Sequence, residues 1–258
     1  MKTVKLMEMT REEIRAAAAT GTVVLPVAAV EQHGPHLPVG VDTYITEYIA
    51  VEAAALASRE GVPVYVAPIQ AYGSSHHHRP FAGVLSLSSD TLVRVLKDVG
   101  RSLIASGFRR IFILNGHGGN SDIIGLVAQD LAVEHDVTMG AASYWTLARE
   151  PLQSLMSEKG IPWVPGHAGG FETALIRALR GELVDEGAVP TQATVAAPRS
   201  GPLAKAAVHR HRAIANIDGY TDVPARGDKA LGEAALKVLV REVAAVLRAF
   251  ATSQIETP

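Results

Sequence analysis

The sequence predicts an α/β protein, a three-layer α/β/α sandwich with a mostly parallel central sheet. Two observations carry this expectation. Short β-branched runs alternate with longer Ala- and Leu-rich stretches of helical period, the pattern of repeated strand–helix–strand crossovers. The strand runs are also apolar almost throughout, as expected of strands covered on both faces. The 258 residues suit a single domain of this kind, spanning 1–258.

In chain order, the strand runs are residues 22–30 (TVVLPVAAV), 62–69 (VPVYVAPI), 110–114 (RIFIL) and 137–144 (VTMGAASY). The first helix is expected over 42–59, with Asp42 as N-cap and Ile45, Ile49, Ala53 and Leu56 at helical spacing. A second over 90–106 follows a Ser-Ser-Asp cap signal and carries Leu92, Val95, Leu96, Val99 and Leu103 as its apolar stripe. Others are expected at 121–134, after a Gly-Gly-Asn turn, at 171–180 and at 228–251. Residues 181–212, rich in Pro, Ala, Thr and Ser, read as a long excursion of the sort that carries function or contacts. There is no internal repeat and no low-complexity linker.

Composition excludes several classes. Lys plus Arg total 24 and Asp plus Glu 26, a formal charge of −2, so a nucleic-acid partner bound through phosphate neutralisation is not expected. Cysteine is absent, which removes disulfides, thiolate metal sites and a cysteine nucleophile. No apolar run is long enough for a membrane span, and the start does not read as a signal peptide, so a cytoplasmic protein is expected.

Three polar clusters stand where strands or turns end. Glu31-Gln32-His33-Gly34-Pro35-His36 follows the first strand run, with Asp42 a few residues on; Asn115-Gly116-His117-Gly118-Gly119-Asn120 follows the third; Gly166-His167-Ala168-Gly169-Gly170-Phe171-Glu172-Thr173 opens a helix. Open α/β sheets bind ligands outside the carboxyl ends of their strands, where the first two clusters are delivered and which the third can reach through its loop. Glu31 and His33, one residue apart, project to one side of an extended stretch. Asp42 adds a carboxylate able to bridge two ions, and His117 lies among glycines that let substrate and metal approach the backbone. With Glu172 the set holds three carboxylates and two imidazoles, suited to Zn, Mn or Fe. Two such ions about 3.5–4 Å apart can share a hydroxide that is nucleophilic near neutral pH. His167 is then placed to shuttle a proton to the leaving nitrogen.

Each residue also has a plainer reading. Asp42 alone serves equally well as a helix cap, and Glu172 as an acidic residue at a helix start. His36 reads as a hydrogen-bonding partner of backbone or a carboxylate. His76, His77 and His78 form a loop that either binds metal or faces solvent. Substrate contact is expected of Ser75, His78, Gly118 and Trp145, while a core role is as natural for Trp145 and Trp163. His209 and His211, in a basic HRHR run, read as a solvated or subunit-facing patch.

The blocks PVAAVEQHGPHLPVGVD, YGSSHHHRPFAGVLSL, LNGHGGN and GHAGGFET, spread over residues 26–173, resemble in content and order the signature blocks of the creatininase (creatinine amidohydrolase) family. The resemblance implies a creatininase-like α/β/α fold, two divalent metal ions per subunit and a homo-oligomer, a hexamer in many relatives. By motif position it implies Glu31, His33, Asp42 and His117 as metal ligands, Asp42 bridging, and His167 as a catalytic histidine.

The chain departs from the family pattern at three places. Where creatininases carry a Glu two residues after the NGH histidine, this chain has Gly119; Glu172 is the expected replacement, counted both as ligand and as catalytic group. The family's F-P-G-T is here Phe81-Ala82-Gly83-Val84, and a commonly acidic position is His77. The function expected is therefore hydrolysis of a C–N bond in a small amide, cyclic amides included. A lactonase, an isomerase or a non-catalytic metal-binding protein on the same scaffold are the alternatives.

Overall fold

The computed structural model describes residues 3–162, 164–194 and 213–253. Its centre is a four-stranded, wholly parallel sheet in the order β2-β1-β3-β4, with β1 at Thr22–Val27, β2 at Val64–Val66, β3 at Arg110–Asn115 and β4 at Thr138–Ser143. β1 and β3 pair along their whole length, from Thr22 opposite Arg110 to Val27 opposite Asn115. The chain steps from β1 outward to β2, then crosses back to lay β3 on the other side of β1. The strand order therefore reverses between β1 and β3, and ligand crevices open at such reversals.

Eight α-helices surround the sheet among the described residues: α1 Arg11–Ala18, α2 Val41–Arg59, α3 Ser89–Ala105, α4 Ser121–Glu134, α5 Tyr144–Leu147, α6 Arg149–Glu158, α7 Gly170–Arg180 and α8 Lys229–Thr252. Because side chains alternate along a strand, the sheet feeds two cores. Val23, Leu25, Val27, Ile111 and Ile113 pack with Leu92 and Leu96 of α3 and Val127 and Leu131 of α4. Val24, Phe112 and Leu114 face Ile45 and Ile49 of α2, Leu175 of α7 and Leu239 and Val243 of α8. Each fully buried Leu, Ile or Val stabilises the fold by about 1.5–3 kcal/mol relative to exposure, so this double cover supplies the three layers.

Several boundaries differ from expectation for identifiable reasons. The run 22–30 leaves the ladder after Val27, and the run 62–69 yields only Val64–Val66. Pro26 has no N–H to donate, and its carbonyl faces the β2 side, accepting from Gln70 N at 2.9 Å. The ladder between β1 and β2 stops at Val24–Val66, just before that missing donor. The expected cap at Asp42 is also corrected. Gly40 is the N-cap of α2 and Asp42 sits inside its first turn, which frees the carboxylate to point elsewhere.

Helices α1, α5 and α6 lie outside the expected set. A capping box announces α1, with Thr10 accepting from Glu13 N while Glu13 accepts from Thr10 N. α6 buries Leu152 and Met156. Of the expected 181–212 excursion, residues 195–212 lie outside the described residues, as do Trp163, His209 and His211. Among the described residues no helix is long and apolar enough to cross a membrane.

Candidate metal centre

Four segments converge above the β1/β3 junction. Glu31 and His33 follow β1, Asp42 projects from the first turn of α2, His117 follows β3, and Glu172 stands in the first turn of α7. All five are buried. Ligand atoms of Glu31, Asp42 and His117 lie within 4.8 Å of one another, and those of His33, Asp42 and Glu172 do the same. Asp42 belongs to both clusters. Its Oδ1 is 3.2 Å from His33 Nε2 and its Oδ2 is 3.1 Å from His117 Nδ1. Glu31 Oε1 is 3.2 Å from His117 Nδ1, and Glu172 Oε2 is 3.8 Å from His33 Nε2.

These atoms are close without being hydrogen-bonded to one another in several cases. Glu31 Oε2, Asp42 Oδ2 and His33 Nε2 are buried and have no hydrogen-bond partner. Buried polar atoms are ordinarily satisfied, and lone pairs aimed at a shared space are what a cation would satisfy. The charge balance agrees. Burial pushes the Glu172 carboxyl up to about 8, with neighbouring Asp42 and Glu31 adding to the effect against His33. Burial opposes charge on His33, but Asp42, Glu172 and Glu31 outweigh it and raise His33 to about 9. Desolvation likewise works against Asp42, yet His33 and His117 hold it at about 2. Three carboxylates packed this closely need positive charge among them. A mixed oxygen and imidazole set of this kind suits Zn, Mn or Fe.

The turn after β3 is held from within. Asn115 Oδ1 accepts from His117 N at 3.0 Å, and Asn115 Nδ2 donates to His117 O at 2.7 Å. Asn120 donates to Ala28 O and accepts from Ser74 N, tying the same turn to β1 and to the histidine loop. A side chain at Gly116 would run into Thr46, and one at Gly119 into the Ser74 carbonyl and His117. A carboxylate at position 119 would require Ser74 and His117 to shift. The chain places Glu172 beside His33, in the first turn of α7 as its helix-start reading expects, with its side chain folded back onto Ala168 N and into the cluster.

The turn before α7 is held from outside. Ala168 takes a left-handed conformation, φ 46°, which costs about 1–2 kcal/mol for a residue with a Cβ. Its N–H donates to Glu172 Oε2 at 2.5 Å. Thr221 grips His167 on both sides, its N–H donating to His167 O and its hydroxyl oxygen accepting from His167 N. Asp222 Oδ1 accepts from Gly170 N at 2.6 Å, capping a helix whose own N-cap, Gly169, has no side chain.

His167 faces the centre, with Nδ1 3.7 Å from Glu31 Oε1 and Nε2 3.0 Å from the Gln32 carbonyl. Burial and the surrounding His33, His78 and His117 hold it well below the usual imidazole range. His36 donates or accepts at Thr173 Oγ1, 2.8 Å away, and takes no place in either cluster. His78 lines the cavity above the cluster and also reaches the Glu31 carboxylate beneath it. Its Nε2 is 3.3 Å from Glu31 Oε1 and its Nδ1 is 2.8 Å from Gln32 Nε2.

A cavity of about 710 Å³ opens over the cluster, lined by Ser74, His76 to His78, Gly118, Trp145, His167, Ile214 and Ile217 among others. Gly118 and Trp145 thus stand where substrate contact was expected. Ser75 does not: it is fully buried, its hydroxyl 3.5 Å from His117 Nε2, and Ser74 lines the cavity in its place. The one-residue shift follows from Ser75 N–H being tied to Ser86 Oγ, which turns Ser75 inward. Sequence reasoning also assigned no role to Gln32, Asn115, Asn120, Thr221 or Asp222. The two asparagines, bracketing a glycine turn, were the available signal.

The creatininase (creatinine amidohydrolase) family model matches residues 7–247. The chain belongs to the creatininase family. It is 34% identical over 200 residues to a creatinine amidohydrolase of Pseudomonas putida, covering 71% of this chain and 75% of that protein. It is also 32% identical over 192 residues to a mycofactocin precursor peptide peptidase of Mycolicibacterium smegmatis, covering 70% of each. Among solved structures, a manganese form of creatininase superposes with a TM-score of 0.79 at 28% identity, covering 98% of this chain and all of that one. A Zn–Zn form of a creatininase variant gives 0.77 at 29%, covering 98% of this chain and all of that one. With its two buried carboxylate–imidazole clusters, this creatininase-family chain is a binuclear metal amidohydrolase.

Proposed function

We propose that the chain hydrolyses the C–N bond of a small amide, with two divalent ions held by Glu31, Asp42 and His117 and by His33, Asp42 and Glu172. The observation that carries this reading is the pair of buried clusters sharing Asp42. The manganese and Zn–Zn forms among the similar structures support the same ion class. When bound, such a pair supplies Lewis-acid polarisation of the scissile carbonyl and a water made nucleophilic near neutral pH.

The chain's own groups do the rest. Gln32 Nε2 has two hydrogens, which fit His78 Nδ1 at 2.8 Å and the Gly219 carbonyl at 3.2 Å, while its Oε1 accepts from Gly34 N. His167 Nε2 lies 3.0 Å from the Gln32 backbone carbonyl and 2.9 Å from Gln32 Nε2; in the tautomer that donates to the carbonyl, the Nδ1 lone pair is turned toward the cluster. There it can take a proton from water and pass it to the departing nitrogen. Trp145, Ile214 and Ile217 form an apolar wall that reduces competing water around the scissile bond. Ser74 and Gly118 line the same cavity beside the polar end.

The test uses metal-loaded protein in heavy-oxygen water with a panel of cyclic amides, formamides and short peptides. Hydrolysis puts the heavy oxygen into the product carboxylate of at least one member. Turnover without label would point to isomerisation, and absence of turnover across amides would remove the amidohydrolase reading.

A further inference from the structure

Glu31, Asp42, His117 and Glu172 are buried yet line the cavity that opens above them, so an exposed ligand in the same cavity would meet an entering hydrated ion first. A further cluster offers one. Ligand atoms of Glu31, His77 and His78 also lie within 4.8 Å of one another, and His77 is the one exposed member of the candidate ion-binding groups among the described residues. Its ring stacks on His117 with centroids 5.6 Å apart and planes 15° from parallel, and lies 4.2 Å from the ring of His78. Bare Gly119 permits this approach, because a Cβ there would come within 3.1 Å of His77 Cε1. Glu31 is common to this cluster and to the Glu31/Asp42/His117 cluster beneath it.

We propose that His77, with His78 and Glu31, is a capture site through which divalent ions load the buried pair. The proposal rests on the metal-centre reading above and concerns the route rather than the destination. An aqua ion exchanges its waters for protein ligands stepwise. The exposed His77 imidazole takes the first place and Glu31 the next. The ion then passes to Asp42 and His117 while remaining on the same Glu31 carboxylate. Occupancy is transient, since a third dication beside a filled pair is repelled at short range through a poorly screened interior. His77 therefore acts on the rate of loading and leaves the final content unchanged.

The experiment mixes metal-free protein with Co²⁺ and follows the visible absorption of the filling centre, with metal content measured at equilibrium. Wild type and His77→Ala are both expected to hold two ions per chain. His77→Ala fills more slowly, because the ion must shed its first waters without the exposed imidazole. His77→Asp, which returns a ligating oxygen to the same position, recovers the fast rate. Equal rates for wild type and His77→Ala would overturn the proposal. So would a His77→Ala protein holding one ion at equilibrium, which would make His77 a resident ligand. A wild-type chain that takes up no ion pair is a separate result, and it would overturn the metal-centre reading and this route together.

Discussion

Two turns deliver histidines to the same centre and are built in opposite ways. The turn after β3 is held largely by its own residues: Asn115 satisfies the His117 backbone from inside the motif, and Asn120, five residues on, bonds Asn115 while tying the turn to Ala28 and Ser74. The turn before α7 is strained at Ala168 and is gripped by Thr221 and Asp222, which come from more than fifty residues later. The first presents its histidine whenever β1 and β3 pair. The second presents His167 and Glu172 only when the distant segment has docked. The Glu31, Asp42 and His117 cluster thus draws on segments that follow β1 and β3 and on the start of α2, whereas the His33, Asp42 and Glu172 cluster also needs the docked α7 turn.

Asp42 joins the two halves, and its replacement gives the largest expected effect. Asp42→Asn should remove both ions together and abolish turnover, and metal analysis showing full occupancy would refute the bridging role. His167→Ala should keep both ions while slowing turnover by about 10²–10⁴, the usual worth of general acid–base catalysis; unaltered turnover would end that assignment. Asp222→Ala separates the turns more directly. The ion on His33, Asp42 and Glu172 should bind about 10–100-fold more weakly, while the ion on Glu31, Asp42 and His117 keeps its affinity in the same titration. Equal weakening of both would mean that Asp222 supports the fold at large. Asn115→Ala is the converse and the smallest. It strands the His117 backbone groups at a cost of about 1–3 kcal/mol in denaturant unfolding, with the Glu31, Asp42 and His117 ion more affected than its neighbour.

The same contrast explains what the sequence revealed. The strands, the main helices and the clusters after β1 and β3 are written in local patterns, and the NGHGGN turn encodes its own clamp. Glu172 was readable because Gly119 lacks a carboxylate and GHAGGFET offers one. Thr221 and Asp222 carry no local mark, because their partners are backbone N–H and C=O groups that any sequence possesses. Asp42 suits a cap as well as a ligand in the sequence because caps and first-turn acids share residue types and differ by two positions. Ser74 and Ser75 are told apart only by which backbone amide Ser86 binds.

Pro26 lies beneath all of this. With no hydrogen on its nitrogen it ends the pairing of the first two strands early, and the chain beyond β2 bends across the gap, Gln70 bonding to both Pro26 and Ala28. That detour carries Ser74 to His78 over the rim and sets them above the acidic cluster. A gap of one proton in a backbone ladder thus gives the histidine loop its seat.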